Sequence, residues 1–128
     1  VLAKKISARE VTEQFLAQTE KWNSKINAYI TVNDKALERA RQIDERLAKG
    51  EAIGAMAGVP VAIKDMFCTR GLRTTAASKI LENFIPPYSS TVVERLEAAG
   101  AICIGKSNQD EFAMGSSNEN SAFGPVRH

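Results

Sequence analysis

With 128 residues, 44% of them apolar and 25% charged, the chain holds one domain's worth of sequence and can bury a core. Seventeen basic against fifteen acidic side chains leave a net charge of +2, too balanced for the field alone to draw nucleic acid or a membrane surface. No apolar run approaches the ~18 residues of a membrane span and the first residues form neither a signal nor a transit peptide, so the expectation is a cytoplasmic protein without a membrane segment.

The chain opens on Val1 rather than Met, which points to a processed, trimmed or partial polypeptide. Ser7 and Glu10 have the spacing of a capping box, and Val11, Phe15 and Trp22 then share one helical face with Leu16 beside them. That predicts an amphipathic helix with Trp22 as a core anchor. After a polar break at 23–25, Ala28 to Val32 reads as extended. Asn33 or Asp34 then caps a second helix carrying Ala36, Leu37, Ala40, Ile43 and Leu47, and Gly50 ends it.

A small-residue link over 52–58 leads into Gly58 to Asp65, GVPVAIKD, where β-branched residues alternate as in a strand and Lys64 falls on the small-residue face. Two readings of Lys64 stand. It is an edge lysine reaching into solvent, or a partly buried lysine at the C-terminal end of a parallel strand. In the second case desolvation favours the neutral amine, a general base. Bringing a lysine from about 10.4 to about 7 takes roughly 4–5 kcal/mol.

Phe67 to Thr75 reads as a loop turning at Gly71, and Thr74, Thr75 and Ser78 as hydroxyls bonded to nearby backbone. Pro86 and Pro87 block a helix starting near Ser78. Ser90 or Thr91 caps a helix through Ala99, with Thr91 and Glu94 as a second capping box. Ala101 to Ile104 is apolar throughout, as in a strand covered on both faces. Strand 59–63, helix 91–99 and strand 101–104 therefore predict an α/β class, with N-terminal helices over about 7–50 followed by a parallel strand-helix-strand part over about 58–128. Lys106 also ends a strand and competes with Lys64 for any role given to a lysine.

From Asn108 a short helix is expected, with Asp110 and Glu111 at its positive end and Gly115 as its stop. An acid/base or metal pair is the other reading of these two carboxylates. Cys68 and Cys103 are too far apart for a CxxC site and read as reduced thiols, so no metal is expected. The single histidine, His128, is the last residue, and a Ser-His-Asp or Cys-His arrangement cannot be built comfortably from it. If the chain belongs to a hydrolase, a lysine must act as the base.

Three segments then carry a resemblance: GVPVAIKD at 58–65, TTAASKILENF at 74–84 and PPYSSTVVERLEAAGAICIGKSNQDEFAMGSSNENSAFGP at 86–125. Together they resemble the amidase signature family, from about Ser7 to His128. Within that family DEFAMGSS is similar to the branch formed by the A subunits of the bacterial glutamyl-tRNA(Gln)/aspartyl-tRNA(Asn) amidotransferases. The resemblance implies the amidase signature fold with an incomplete sheet, and a Ser, cis-Ser, Lys triad whose lysine is Lys64, with Lys106 structural. It places Met114, Gly115 and Ser116 on the substrate side. It also implies glutamine as ammonia donor, the B and C subunits of the amidotransferase as partners, and a mischarged tRNA, with no cofactor in this chain and ATP and Mg used by its partner subunit. Both serines and the oxyanion-hole loop fall beyond the family's equivalent of His128. The chain alone is thus expected to be an N-terminal part without a nucleophile, inactive, and prone to associate because a strand such as 101–104 expects neighbours on both sides. A stand-alone amidase of the family and a non-catalytic interaction module remain open as alternatives.

Overall fold

The computed structural model describes residues 1–3 and 5–127. In chain order it comprises α1 (Ala8–Ile26), β1 (Tyr29–Val32), α2 (Ala36–Ala48), β2 (Pro60–Lys64), α3 (Thr91–Ala98) and β3 (Ile102–Ser107), with 3-10 turns at Lys79–Leu81 and Glu111–Ala113. The predicted capping box starts α1: the Ser7 hydroxyl accepts the Glu10 N–H at 3.0 Å and the Glu10 carboxylate accepts the Ser7 N–H at 2.9 Å. A second carboxylate contributes from α2, where Asp44 accepts the Ala8 and Arg9 N–H groups at 2.8 and 3.0 Å. The orphan donors of one helix end thus fix where the other helix lies.

The buried face of α1 carries Ala8 and Thr12, and it meets Ala36, Ala40 and Ile43 of α2. Small residues there let the helices approach closely, and the bulky stripe points elsewhere. Trp22 is 41% exposed and Phe15 52% exposed, which corrects the expectation of a Trp22 core anchor. The indole instead donates to Gln18 at 3.0 Å and lies beneath the Lys21 and Lys25 ammoniums. The start of α2 also differs from expectation. Its N-cap position is Lys35, which makes no side-chain cap. Asn33 spends its side chain on the Lys35 N–H and on the Cys103 carbonyl, tying the helix start to β3. Gly50 follows α2 with φ +75°, as a terminating glycine should.

The sheet has the order β1-β3-β2. β2 and β3 are parallel, joined through α3, as predicted; β1 adds antiparallel to the other side of β3. β3 is therefore the central strand, buried from Ile102 to Lys106 and hydrogen-bonded along both edges. This corrects the expectation that its edges stand unpaired, because the extended segment after α1 supplies the missing neighbour. Two cores flank the sheet. Ile102 and Ile104 pack with α1 and α2, while Cys103 joins Ile63, Leu72 and Val93 on the side of α3.

One irregularity places a charge. Along β3 the register to β2 runs Cys103 to Val61 and then Gly105 to Ala62, so Ile104 is an extra residue. A slip of one residue exchanges the faces of everything beyond it. Lys106 therefore turns to the side of Cys103 and Ile63, beneath the loop over 67–74.

Candidate active site

Lys64 is the last residue of β2 and pairs with Ser107 of β3 in parallel register. Its backbone is held closely. The Lys64 carbonyl accepts the Phe67 N–H at 3.0 Å, and the neighbouring Asp65 N–H donates to the Ser107 carbonyl at 3.1 Å. The side chain, however, is exposed. This corrects the expectation that it is withdrawn from water. β2 is an outer strand, and within the described residues nothing covers the face that carries Ala62 and Lys64.

The next residue lies on the opposite face. Asp65 is fully buried, and its Oδ2 accepts the Thr75 N–H at 3.0 Å, the Ala77 N–H at 3.3 Å and the Thr75 hydroxyl. Its carbonyl accepts the Ala76 N–H at 3.1 Å. Ala76 and Ala77 both have positive φ, 51° and 56°, a conformation that costs an alanine about 1–2 kcal/mol. The Asp65 carboxylate is the anchor that holds this turn. Of the hydroxyl cluster, Thr74 donates to the Leu72 carbonyl and Ser78 accepts the Ile80 N–H, the local backbone bonding expected. Thr75 reaches Asp65 instead.

Lys106 is likewise fully buried. Its Nζ donates to the Phe67 carbonyl, to Thr69 Oγ1 at 3.2 Å and to Thr74 Oγ1 at 2.9 Å, and it lies 4.0 Å from Asp65 Oδ1. Burial pushes its basicity down and the Asp65 carboxylate opposes that. With all three protons bonded inside the fold, Lys106 has none to offer a substrate.

The segment after β3 is a loop. Asp110 is buried, and its two carboxylate oxygens accept the Asn118 and Asn120 N–H groups at 2.9 and 3.0 Å. The expected helix from Asn108 is only the three-residue turn Glu111–Ala113, broken by Phe112 at φ 52°. The carboxylates of Asp110 and Glu111 thus do not serve a helix end. Gly115 is needed for close approach, since a Cβ there would stand 2.4 Å from the Asp110 carboxyl carbon. The loop is fastened to the turn beyond Lys64, with the Phe112 N–H donating to Ala76 and the Ala122 N–H to Ala77. Met114 is 82% exposed, and Gly115 and Ser116 are exposed beside it. Asn108 ties both ends of the loop: its Nδ2 donates to the Asn27 and Gly124 carbonyls, and its Oδ1 accepts the Ser121 hydroxyl at 2.7 Å.

The N–H groups of Asn120 and Asn118 hold the Asp110 carboxyl below its ordinary value, and the Lys64 ammonium adds to this. A depressed folded value gives stability that is present above the ordinary carboxylate range and lost as pH falls through the depressed one. Asp110→Ala should speed amide exchange at Asn118 and Asn120 roughly ten-fold or more at neutral pH, the loss equivalent to a charge-assisted hydrogen bond. Unchanged exchange at those two amides would contradict the clamp.

Asp65 and Asn108 were not singled out from the sequence. A signal for Asp65 existed in a carboxylate directly following an apolar strand. Asn108 carried none. His128 lies outside the described residues. No described helix is long and apolar enough to cross a membrane.

The profile of the family described as Amidase matches residues 10–128. The A subunit of the glutamyl-tRNA(Gln) amidotransferase of Bdellovibrio bacteriovorus is 56% identical over 123 residues, 96% of this chain and 25% of that protein. Among solved structures, a chain of a vestigial complex bearing on the origins of an s-triazine catabolic enzyme superposes with TM-score 0.92 at 38% identity, over 98% of this chain and 28% of that one. The A subunit of the glutamyl-tRNA(Gln) amidotransferase from Thermotoga maritima gives TM-score 0.73 at 36% identity, over 97% of this chain and 27% of that one. The chain spans about a quarter of the length of the curated relatives it matches.

Proposed function

The chain belongs to the amidase family, and from that membership we propose that it is the N-terminal part of the A subunit of a tRNA-dependent amidotransferase, with Lys64 as general base in releasing ammonia from glutamine. The observation that carries this reading is the high identity, over nearly the whole chain, to the A subunits of glutamyl-tRNA(Gln) amidotransferases. The position of Lys64 supports the role. It stands at the C-terminal end of a parallel strand, where open α/β sheets place their sites, and its backbone is fixed on both sides.

In this reading the neutral Lys64 amine takes a proton from a bridging serine, which takes one from a nucleophilic serine. That oxygen attacks the side-chain carbonyl carbon of glutamine. Collapse of the tetrahedral intermediate breaks the C–N bond, and the proton returns to the departing nitrogen as ammonia. Water then releases glutamate from the acyl-enzyme by the reverse proton path. Both serines and the oxyanion hole belong to the part of the relatives that this chain does not span. The same part would cover the open face of β2 and supply the desolvation that a neutral amine needs. Met114, Gly115 and Ser116 flank that face as substrate-side residues. The A subunit itself needs no cofactor. The ammonia is used by the B subunit, together with the C subunit, on Glu-tRNA(Gln) or Asp-tRNA(Asn) activated with ATP and Mg.

The test is amidation of mischarged tRNA by the full-length protein assembled with its partner subunits, given either glutamine or ammonium. Amidation with both nitrogen sources, and glutaminase activity from the full-length chain, is the expected result. Turnover of simple amides with no response to the partner subunits, tRNA or ATP would overturn the reading in favour of a stand-alone amidase.

A further inference from the structure

Asp65 and Lys106 form a buried ion pair beside the proposed base, Asp65 being its neighbour in sequence, and the surrounding hydrogen bonds suit an ammonium and a carboxylate. Thr69 and Thr74 give their hydroxyl protons to the Phe67 and Leu72 carbonyls, so they can only accept from Lys106. The Phe67 carbonyl takes the third proton. Lys106 is thus an ammonium with every proton used. Thr75 gives its hydroxyl proton to Asp65 and accepts the Ala77 N–H at 3.1 Å. Three donors converge on Asp65 Oδ2, which calls for a carboxylate. Among the described residues Asp65 Oδ1 has no hydrogen-bond partner, and it lies 4.0 Å from the ammonium.

A buried ion pair of this kind is a poor source of stability, because desolvation of the two ions offsets their attraction. Its position is what distinguishes it. We propose that Asp65, with Lys106 as its countercharge, is the positioning residue for Lys64: it locks the backbone on which Lys64 stands to the strained Ala76–Ala77 turn, and the pair presents a balanced charge behind the base. The inference rests on the reading of Lys64 as the base. Three contacts make the lock. The Asp65 N–H donates to β3, its carbonyl accepts Ala76, and its carboxylate holds the turn from within. From the same turn the Phe112 and Ala122 N–H contacts carry the fastening on to the loop bearing Met114 to Ser116.

Among the described residues, few other ionisable groups act on these charges. Asp110 faces Lys64 from the loop after β3. Cys68 and Cys103 face Lys106, and burial pushes the Cys103 thiol up to about 11, so it stays neutral through the working range. All three are common to the variants below, and differences between variants therefore report the pair.

The experiment uses the full-length protein in its assembled complex, with glutaminase kcat and KM followed across pH for Asp65→Asn, Lys106→Met and the double variant. Asp65→Asn should lower kcat about 10- to 100-fold with KM within about two-fold, as misplacement of a catalytic group does. Its acid limb should move to lower pH by about half a unit or more, since removing a negative charge eases loss of the Lys64 proton. Lys106→Met should move the limb to higher pH, and the double variant should return it toward wild type. A structural role alone lowers thermal stability and leaves the limb in place. Limbs unmoved in both single variants, or moved the same way, would overturn the proposal, and so would failure of both variants to assemble. If Asp65→Asn alone fails to assemble, the direction of the Lys106→Met limb decides. Lys64→Ala separates the two levels. Glutaminase activity retained in that variant sinks the reading of Lys64 itself, whereas activity lost there beside unmoved limbs sinks only the role of the pair.

Discussion

Lys64→Ala in the full-length protein should lower glutamine-dependent ammonia release on the order of 10⁴-fold or more, while ammonium-dependent amidation of tRNA by the assembled complex stays near wild type. A general base contributes at the step that deprotonates the nucleophile, and free ammonia enters after that step. The variant should also fold normally. Lys64 makes no side-chain hydrogen bond among the described residues, so its truncation breaks no polar contact within this part of the fold. Lys64→Arg should not restore activity, since a guanidinium stays protonated throughout the working pH range. Steady-state glutaminase rates of the three proteins, beside their melting temperatures, decide the matter. A Lys64→Ala enzyme that still uses glutamine would remove Lys64 from the mechanism.

The second large effect is on stability. Gly105→Val should destabilise the fold by about 3 kcal/mol or more, at the upper end of what overpacking costs. A Cβ at this position would stand 2.5 Å from the Thr31 carbonyl oxygen, 3.0 Å from the Tyr29 ring and 3.1 Å from the Val32 Cα. None of the backbone atoms can yield without β1 leaving β3. That movement would also break the Asn33 contacts, its N–H to the Ile104 carbonyl and its side chain to the Cys103 carbonyl, both at 2.8 Å. The start of α2 would then lose its tie to the sheet. Chemical denaturation of the purified protein should show a lower midpoint for Gly105→Val and, because the first side-chain atom already clashes, for Gly105→Ala as well. A valine variant as stable as wild type would mean that β1 does not lie there.

Much of this protein is determined by local chemistry and was legible in the sequence. The alternation of Val59, Val61 and Ile63 marks β2, the continuous run Ala101 to Ile104 marks β3, and the helix between them makes the pairing parallel. Ser7 with Glu10 and the terminating Gly50 set two helix ends because caps act within a single turn. The place of Lys64 at a strand end follows from the same periodicity, and GVPVAIKD, TTAASKILENF and the run over 86–125 together carry the family resemblance.

What tertiary structure alone decided is which elements became neighbours and which faces they turned. No pattern within Tyr29 to Val32 says that this strand will pair antiparallel with a segment more than seventy residues later; that depends on the bare backbone at Gly105. The buried face of α1 differs from the one its apolar periodicity predicts because burial there selects small residues that let two helices approach, so Ala8 and Thr12 go inward while Phe15 and Trp22 stay out. The extra residue at Ile104 sends Lys106 to the interior, and a one-residue slip in register has no signature in composition or periodicity. Lys64 is exposed because no described element covers the face of β2 that carries it with Ala62. Periodicity and capping act over one or two turns of chain and can be read from neighbours in sequence, whereas packing partners are chosen by shape and charge complementarity between distant segments, which only the folded chain brings together.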